Sequence, residues 1–233
     1  MAPPVERMEP VPVSSRPGDG SPVADHNGAR RRRLTGAQRQ RSILYAAAEV
    51  FARRGYDGAR IEEIAEAAGV SKGLIYEHFK GKRELYAHIR SKGTAESLDR
   101  VLEAAAAADA DSRQQLEAAL SAFLDFVAEQ PLVWQVIEQE VSDPEINALM
   151  QSQQQRSEQA IAALLAADEL MAAQDFDPEQ IELLGVMING AAVRAANWWL
   201  ANPSVDRRQV LGPVMQFMWL GLEQIRLGAQ LAD

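Results

Sequence analysis

The chain has 233 residues, 47% of them hydrophobic, no cysteine, and a formal net charge of −9. That length allows one or two domains with a sizeable core, and the missing cysteine excludes disulfides, thiolate catalysis and cysteine-based zinc sites. The longest apolar runs, such as 160–167 and 183–188, fall far short of the roughly 20 residues that span a bilayer; with no apolar signal-peptide core at the N-terminus, a cytoplasmic protein with no membrane partner is expected.

The charge is divided. Residues 1–93 hold 17 Lys and Arg against 11 Asp and Glu, net +6, whereas residues 94–233 hold 7 against 22, net −15. A basic N-terminal third on an acidic body points to a local anion-binding surface on a self-repelling molecule.

Residues 1–34 collect Pro, Gly and Ser, lack aromatics, and are expected to form a disordered, basic arm. The four arginines Arg30, Arg31, Arg32 and Arg33 either follow DNA along phosphates or the minor groove or form a solvated tail; both readings stand. Thr35 is placed to cap a first helix reaching about Arg54, with Ile43, Leu44, Ala47, Val50 and Phe51 as its apolar stripe. Gly55 ends it, 56–58 is a turn, and Tyr56 is read as core.

Ile61, Ile64, Ala65 and Ala68 recur at i, i+3, i+4 and i+7, the spacing of a second helix's buried face. Gly69 suits a left-handed helix end, Val70 plugs the corner, and Ser71 is a good N-cap for a third helix, 72–79. Ile75 and Phe79 face inward. At about 100° per residue Gly73, Tyr76 and Lys80 fall on the outer side. Lys72 sits at the first helical position, where the macrodipole disfavours a cation, and Gly73 costs the helix roughly 1 kcal/mol against Ala. Both make sense if backbone and ammonium must approach phosphate. The string therefore reads as a helix-turn-helix that presents small, cationic and hydroxyl groups to a major groove. Lys72, Gly73, Leu74 and Tyr76 are the candidate groove contacts; Lys72 suits guanine or phosphate and Leu74 a thymine methyl, although Leu74 equally fits core packing.

Gly81 precedes a long fourth helix, 82–107, which leaves the basic region and enters the acidic one. Further helices are expected over 112–130, 132–141, 144–173, 179–201 and 207–231, with Asp-Pro or Asp start signals at 143, 177 and 206. The fold class is all-α, about nine helices without strands. Gln151 to Gln155 reads as a solvated stretch, and Glu138, Glu140 and Asp143 as helix surface. His26, His78 and His88 lack metal-ligand spacing, and the scattered carboxylates have no visible nucleophile partner. No cofactor, metal or catalytic role is assigned.

The joint pattern of Arg41, Ile43, Leu44, Ala46, Ala47, Phe51, Gly55-Tyr56, Ile64-Ala65, Ala68-Gly69-Val70-Ser71, Tyr76, His78-Phe79, Lys82 and Leu85 resembles the TetR family of bacterial transcriptional regulators. The resemblance covers about 41–85. It implies that Ser71, Lys72, Gly73, Leu74, Tyr76 and His78 serve DNA binding, with Tyr76 and His78 as a phosphate-contacting pair. Two departures matter: the family often has a Thr or Ser pair where this chain has Ala59-Arg60, and a Ser or Asn where it has Gly81. Phosphate binding is then expected to shift to Arg60 and Lys82. The resemblance also implies a homodimer whose subunits pair through their last two long helices, a double-stranded operator as partner, and an apolar small-molecule effector. Domains follow as 1–34 arm, 35–81 DNA-binding head, and 82–233 effector-binding and dimerisation body. Within the body, Phe126, Trp134 and Met187 are the expected pocket residues, and Gly185, Ile188, Ala192, Phe217 and Gly221 the expected dimer seam. The sign expected is repression, relieved by the effector. Rival readings are an all-helical carrier or enzyme with a structural helix-turn-helix, and a sequence-indifferent architectural DNA binder.

Overall fold

The computed structural model describes residues 35–108 and 111–228; the arm with Arg31, Arg32 and Arg33 lies outside the described residues. Within them the chain forms ten helices and no strand: α1 (Gly36–Gly58), α2 (Ile61–Ala68), α3 (Lys72–His78), α4 (Lys82–Ala107), α5 (Ser112–Glu129), α6 (Pro131–Glu138), α7 (Pro144–Ala166), α8 (Glu169–Ala172), α9 (Pro178–Ala201) and α10 (Arg207–Arg226).

Local chemistry sets these bounds. Thr35 and Gln38 form a reciprocal capping box at the start of α1, and Asp177 and Asp206 do the same for α9 and α10 with Gln180 and Gln209. Near its end α1 kinks at Gly55 (φ 73°), where only glycine adopts the required backbone without strain. Gly69 closes α2 in the left-handed region (φ 65°), while the Val70 amide donates to the Ala65 carbonyl at 3.0 Å. The Ser71 hydroxyl then accepts from the Leu74 amide at 3.2 Å to open α3.

Two expected elements differ. Residues 56–58, expected as a turn, are helical and continue α1 beyond the Gly55 kink. The helix predicted over 144–173 is two, because Asp168 accepts from the Leu170 and Met171 amides and recaps the chain as α8. A lone Asp inside an Ala- and Leu-rich run looked like helix interior; here it competes for the backbone and wins.

The head core is dry and continuous. Ile43, Ala47, Val50, Phe51, Ile64 and Ile75 are fully buried, and the Tyr86 ring stands edge-on to Phe51 and Tyr56 at 5.0 and 4.9 Å. Tyr86 belongs to α4, so the head core already includes the first turns of the body. Helix α6 packs against both α1 and α4. A Cβ on Gly93 of α4 would collide with Val133 of α6, so the glycine is what lets α4 and α6 approach closely. In the body α4 packs on α5 and α7 on α9. On α9 and α10, Leu183, Met187, Trp198, Phe217 and Leu220 are all more than half exposed, a larger set of bare apolar groups than solvent favours.

Candidate nucleic-acid interface and internal cavity

Lys72, Gly73 and Tyr76 lie exposed on α3, with Ile75 and Phe79 buried behind them. A Cβ at Gly73 would meet only the Ser71 hydroxyl, at 3.8 Å. Nothing inside the chain therefore requires glycine there, and its helix penalty is left to an external surface. The Lys72 ammonium pairs with Glu62 of α2 and lies 5.7 Å from the Tyr76 ring centroid; hydrogen bonding to Glu62, then its charge, holds Lys72 above its ordinary range. This cation is thus already held by a carboxylate of the chain itself. Leu74 is partly buried and packs against the head core, which favours the packing reading over a methyl contact. Ser71 spends its hydroxyl on the α3 cap. His78 is half-buried beside Phe79, and Arg60 is exposed at the start of α2.

Lys82 is occupied otherwise than expected. Its ammonium donates to the Asp57 and Ala59 carbonyls, each at 3.2 Å, and sits 4.6 Å from the Tyr56 ring centroid. It ties the kinked end of α1 to the start of α4 and so satisfies carbonyls that the broken helix leaves open. A structural clasp, not an outstretched phosphate ligand, is its place in this geometry.

Behind the helix-turn-helix lies a polar junction missing from the sequence reading. Asp143, the N-cap of α7, accepts from Arg83 Nε at 2.8 Å and from the Tyr56 hydroxyl at 3.2 Å, while Arg83 also pairs with Glu145 at 2.8 Å. Ser142 donates to Asp57 at 2.9 Å, and Gln139 Nε2 donates to the Phe51 carbonyl at 2.9 Å. Burial opposes ionisation of Asp143, but Arg83 and the Ile146 and Glu145 amides outweigh it and hold the carboxyl below the usual range. Deeper in, the Tyr86 hydroxyl and Arg90 Nη1 both donate to the Val136 carbonyl, at 2.9 and 3.1 Å. Segment 136–145 thus binds α1 and α4 along its whole length. Asp143 was read as helix surface; the Asp-Pro signal marks the cap but not the partners 60 and 87 residues earlier.

The body holds a partly open cavity of about 470 Å³ between α4, α5, α6, α7, α8, α9 and α10. Its wall is mainly apolar, with Leu98, Leu116, Phe123, Ile161 and Trp134 among the lining residues, a composition and size typical of small-molecule sites. Of the expected pocket residues, Trp134 lines it. Phe126 is fully buried but does not, and Met187 is 60% exposed and points to no part of it. Met187 lies on the outer face of α9, a face that helical periodicity alone could not orient. Two of the expected seam residues, Ile188 and Ala192, line the cavity instead. Gly185 is turned inward as well: a Cβ there would lie 2.7 Å from the Glu158 carbonyl oxygen, so it serves the α7–α9 approach within one chain. Phe217 and Gly221 remain exposed on α10.

Of the polar groups that interrupt the apolar wall, three arrangements stand out. At one end Asp168 takes hydrogen bonds from Ser112 and from Arg226 Nη2 (2.8 Å) and Nε (3.0 Å). Burial would raise its pKa, but Arg226, Ser112 and the Met171 amide prevail and lower it to about 2. The second group is a chain in which Trp134 Nε1 donates to Asn197 and Asn197 Nδ2 donates to Glu138, both at 2.8 Å. The third is open. Arg90 Nε, Thr94 Oγ1 and Gln153 Oε1 are buried with no hydrogen-bond partner among the described residues, and all three residues line the cavity. Burial pushes the Arg90 guanidinium down, with Tyr86 and then Glu138 opposing. A buried polar group left unmet costs about 1–3 kcal/mol. Gln153 is 8% exposed, so the expected solvated glutamine stretch is broken here by a residue turned into the body.

The comparisons fit this architecture. Residues 43–89 match the family model for bacterial regulatory proteins of the tetR family, and residues 112–221 match that of a tetracyclin repressor-like C-terminal domain. The transcriptional activator FasR of Mycolicibacterium smegmatis is 30% identical over 218 residues, covering 92% of this chain and 96% of the relative. A TetR-like regulator from Rhodococcus sp. RHA1 superposes with a TM-score of 0.67 at 25% identity, covering 82% of this chain and 99% of its own. The fold is shared too with the regulator FadR of Bacillus subtilis in complex with stearoyl-CoA, with a TM-score of 0.64, 20% identity, and 76% and 96% of the two chains covered. With both halves matched and a relative aligned along nearly its full length, the chain is a member of the TetR family of bacterial transcriptional regulators.

Proposed function

We propose that this regulator binds a palindromic DNA operator as a homodimer and changes its affinity when a ligand with a long apolar chain fills the body cavity. The observation that carries the reading is the continuity between the exposed Lys72–Tyr76 face and the cavity, through α4 and segment 136–145. Two α3 helices would enter successive major grooves roughly 34–36 Å apart. The exposed Leu183, Met187, Trp198, Phe217 and Leu220 support a second copy as what covers α9 and α10, with Phe217 and Gly221 in the seam. The acyl character of the ligand is supported by the apolar wall and by the stearoyl-CoA complex of the FadR neighbour.

Ligand binding shifts the heads only if the two arrangements hold it with different affinity. Trp134, Ile137 and Glu138 touch the cavity on α6, and the Val136 carbonyl among them holds Tyr86 and Arg90. A small rotation of α6 is thereby passed to α4 and α1. Repression relieved by the ligand is one sign of response. The name of the FasR relative, an activator, favours weighing the other; the position of the operator relative to the promoter decides it, and a reporter fusion reads it.

Footprinting on the DNA upstream of the chain's own gene tests the reading. A protected palindrome is expected, with affinity falling about 10³–10⁵-fold between about 50 and 200 mM salt if six to ten phosphates are contacted. Lys72→Ala should weaken operator binding about tenfold and reduce the salt slope. Uniform weakening on every DNA sequence would instead indicate an architectural binder. Absence of any protected site at moderate salt would favour a carrier or enzyme with a structural helix-turn-helix.

A further inference from the structure

We propose that Arg90, Thr94 and Gln153 form the polar anchor of the cavity and receive the acyl oxygen of its ligand, whether a carboxylate or a thioester carbonyl. The inference rests on the apolar-chain reading above and adds the residues that recognise the head of that chain.

Two of the three arrangements described above are already hydrogen-bonded internally. Asp168 is saturated by Ser112, Arg226 and the α8 amides, and the Glu138–Asn197–Trp134 chain satisfies its own members. Among the described lining residues, Arg90, Thr94 and Gln153 are the ones whose side chains keep a buried polar atom without a partner. Arg90 and Thr94 are one helical turn apart on α4, so they share a face. Gln153 reaches the same face from α7, because its Nε2 donates to the Ser91 hydroxyl at 2.8 Å. Arg90 is 6% exposed and Gln153 8%, so bulk water does not serve them. With its amide turned over, Gln153 accepts from Ser91 through Oε1 and offers Nε2 to the cavity. The anchor then presents three donors: the Arg90 Nε–H, the Thr94 hydroxyl and the Gln153 amide. Three donors on one stretch of wall, one on a cation, fit an oxygen acceptor and reject a plain alkyl group. Glu138 lies on the same wall, but its carboxylate is engaged by Asn197.

The anchor also sits at the point of transmission. Arg90 Nη1 shares the Val136 carbonyl with Tyr86, so an oxygen drawn to Nε acts on the residue that joins α4 to α6.

Equilibrium binding to the full chain tests this with palmitoyl-CoA, its thioether analogue S-hexadecyl-CoA, and palmitate, all below their micelle concentrations. The thioester should bind about 10- to 100-fold more tightly than the thioether, which lacks only the carbonyl oxygen. Arg90→Met should abolish that preference, so that thioester and thioether bind the variant equally. Thr94→Val, which keeps the Arg90–Val136 bond and the side-chain shape, should reduce the preference, so the test survives if Arg90→Met fails to fold. Palmitate binding more tightly than the thioester, and losing that in Arg90→Met, supports the anchor with a free acid as its source. Equal binding of thioester and thioether by the unaltered chain, with palmitate no tighter, overturns the anchor and leaves the apolar-chain reading intact. If none of the three binds, the apolar-chain reading itself falls and takes the anchor with it.

Discussion

The head and the body are built from the same kind of helix but solve opposite problems. In the head the apolar faces of α1, α2 and α3 close on one another until Ile43, Val50, Phe51, Ile64 and Ile75 have no exposed surface; its proposed DNA face is outward, on residues the core does not need. In the body the helices stand apart around about 470 Å³ of space, and its proposed ligand site faces inward, on groups the core leaves unmet. On the proposed reading, a rigid head is what holds Lys72 and Tyr76 in register for DNA. A sensing body must keep room and unsatisfied chemistry, because a ligand can move only what is not already optimally packed. Segment 136–145 belongs to both: its Ile137, like Trp134 just before it, lies on the cavity wall, and its Asp143 is fastened to Tyr56 and Arg83.

The sharpest way to break this comparison is to remove the same atoms from both regions. Ile64→Ala in the closed head should cost about 2–5 kcal/mol, whereas Ile161→Ala, which enlarges a space already present, should cost about 1 kcal/mol or less, both read by denaturant unfolding. Equal costs would show that the cavity collapses or that the head is looser than its burial indicates. Next comes Asp168→Asn at the closed end of the cavity, with an expected loss of about 1–2 kcal/mol at pH 7. The Asp168 carboxyl is lowered to about 2 from its ordinary value of 3.8, so its contribution is present above the ordinary value and lost as pH falls through about 2. The gap between the variant and the parent should therefore close over that interval, which melting curves at stepped pH would register.

A smaller effect on stability, but a clear one on coupling, is expected from Asp143→Ala. It should lower the melting temperature by about 2–4 °C through the lost α7 cap. Because the Tyr56 and Arg83 bonds go with it, operator affinity should respond less to ligand even though ligand affinity is unchanged. Smallest of all, Glu62→Gln releases Lys72 from its pair and should tighten operator binding about two- to five-fold, with no change in ligand binding.

The two regions also differ in how far their sequence could be read. Gly55, Gly69 and Ser71 each act on the backbone within a few residues, and the i, i+3, i+4 spacing of Ile61, Ile64 and Ala65 marks a face without reference to anything distant. The helix-turn-helix was therefore legible almost residue by residue. The body was legible as helices and much less as a site. Met187 and Ile188 are neighbours in sequence, yet one is exposed and the other lines the cavity; which is which depends on where α7 and α10 lie. Lys82 shows the same limit inside the head, because a lysine at a helix start says nothing about carbonyls left open 23 and 25 residues earlier. Arg90 and Gln153 carried no signal as polar residues in long helices; their standing follows from partners they do not have.

The central claim is that occupancy of the cavity is felt at α3. Its most direct measurement is operator affinity by fluorescence anisotropy, at fixed salt, with and without saturating palmitoyl-CoA, on the upstream DNA protected in the footprint. The account predicts a change of at least about fivefold, largely lost in Asp143→Ala. Operator affinity unchanged by ligand that demonstrably fills the cavity would contradict it.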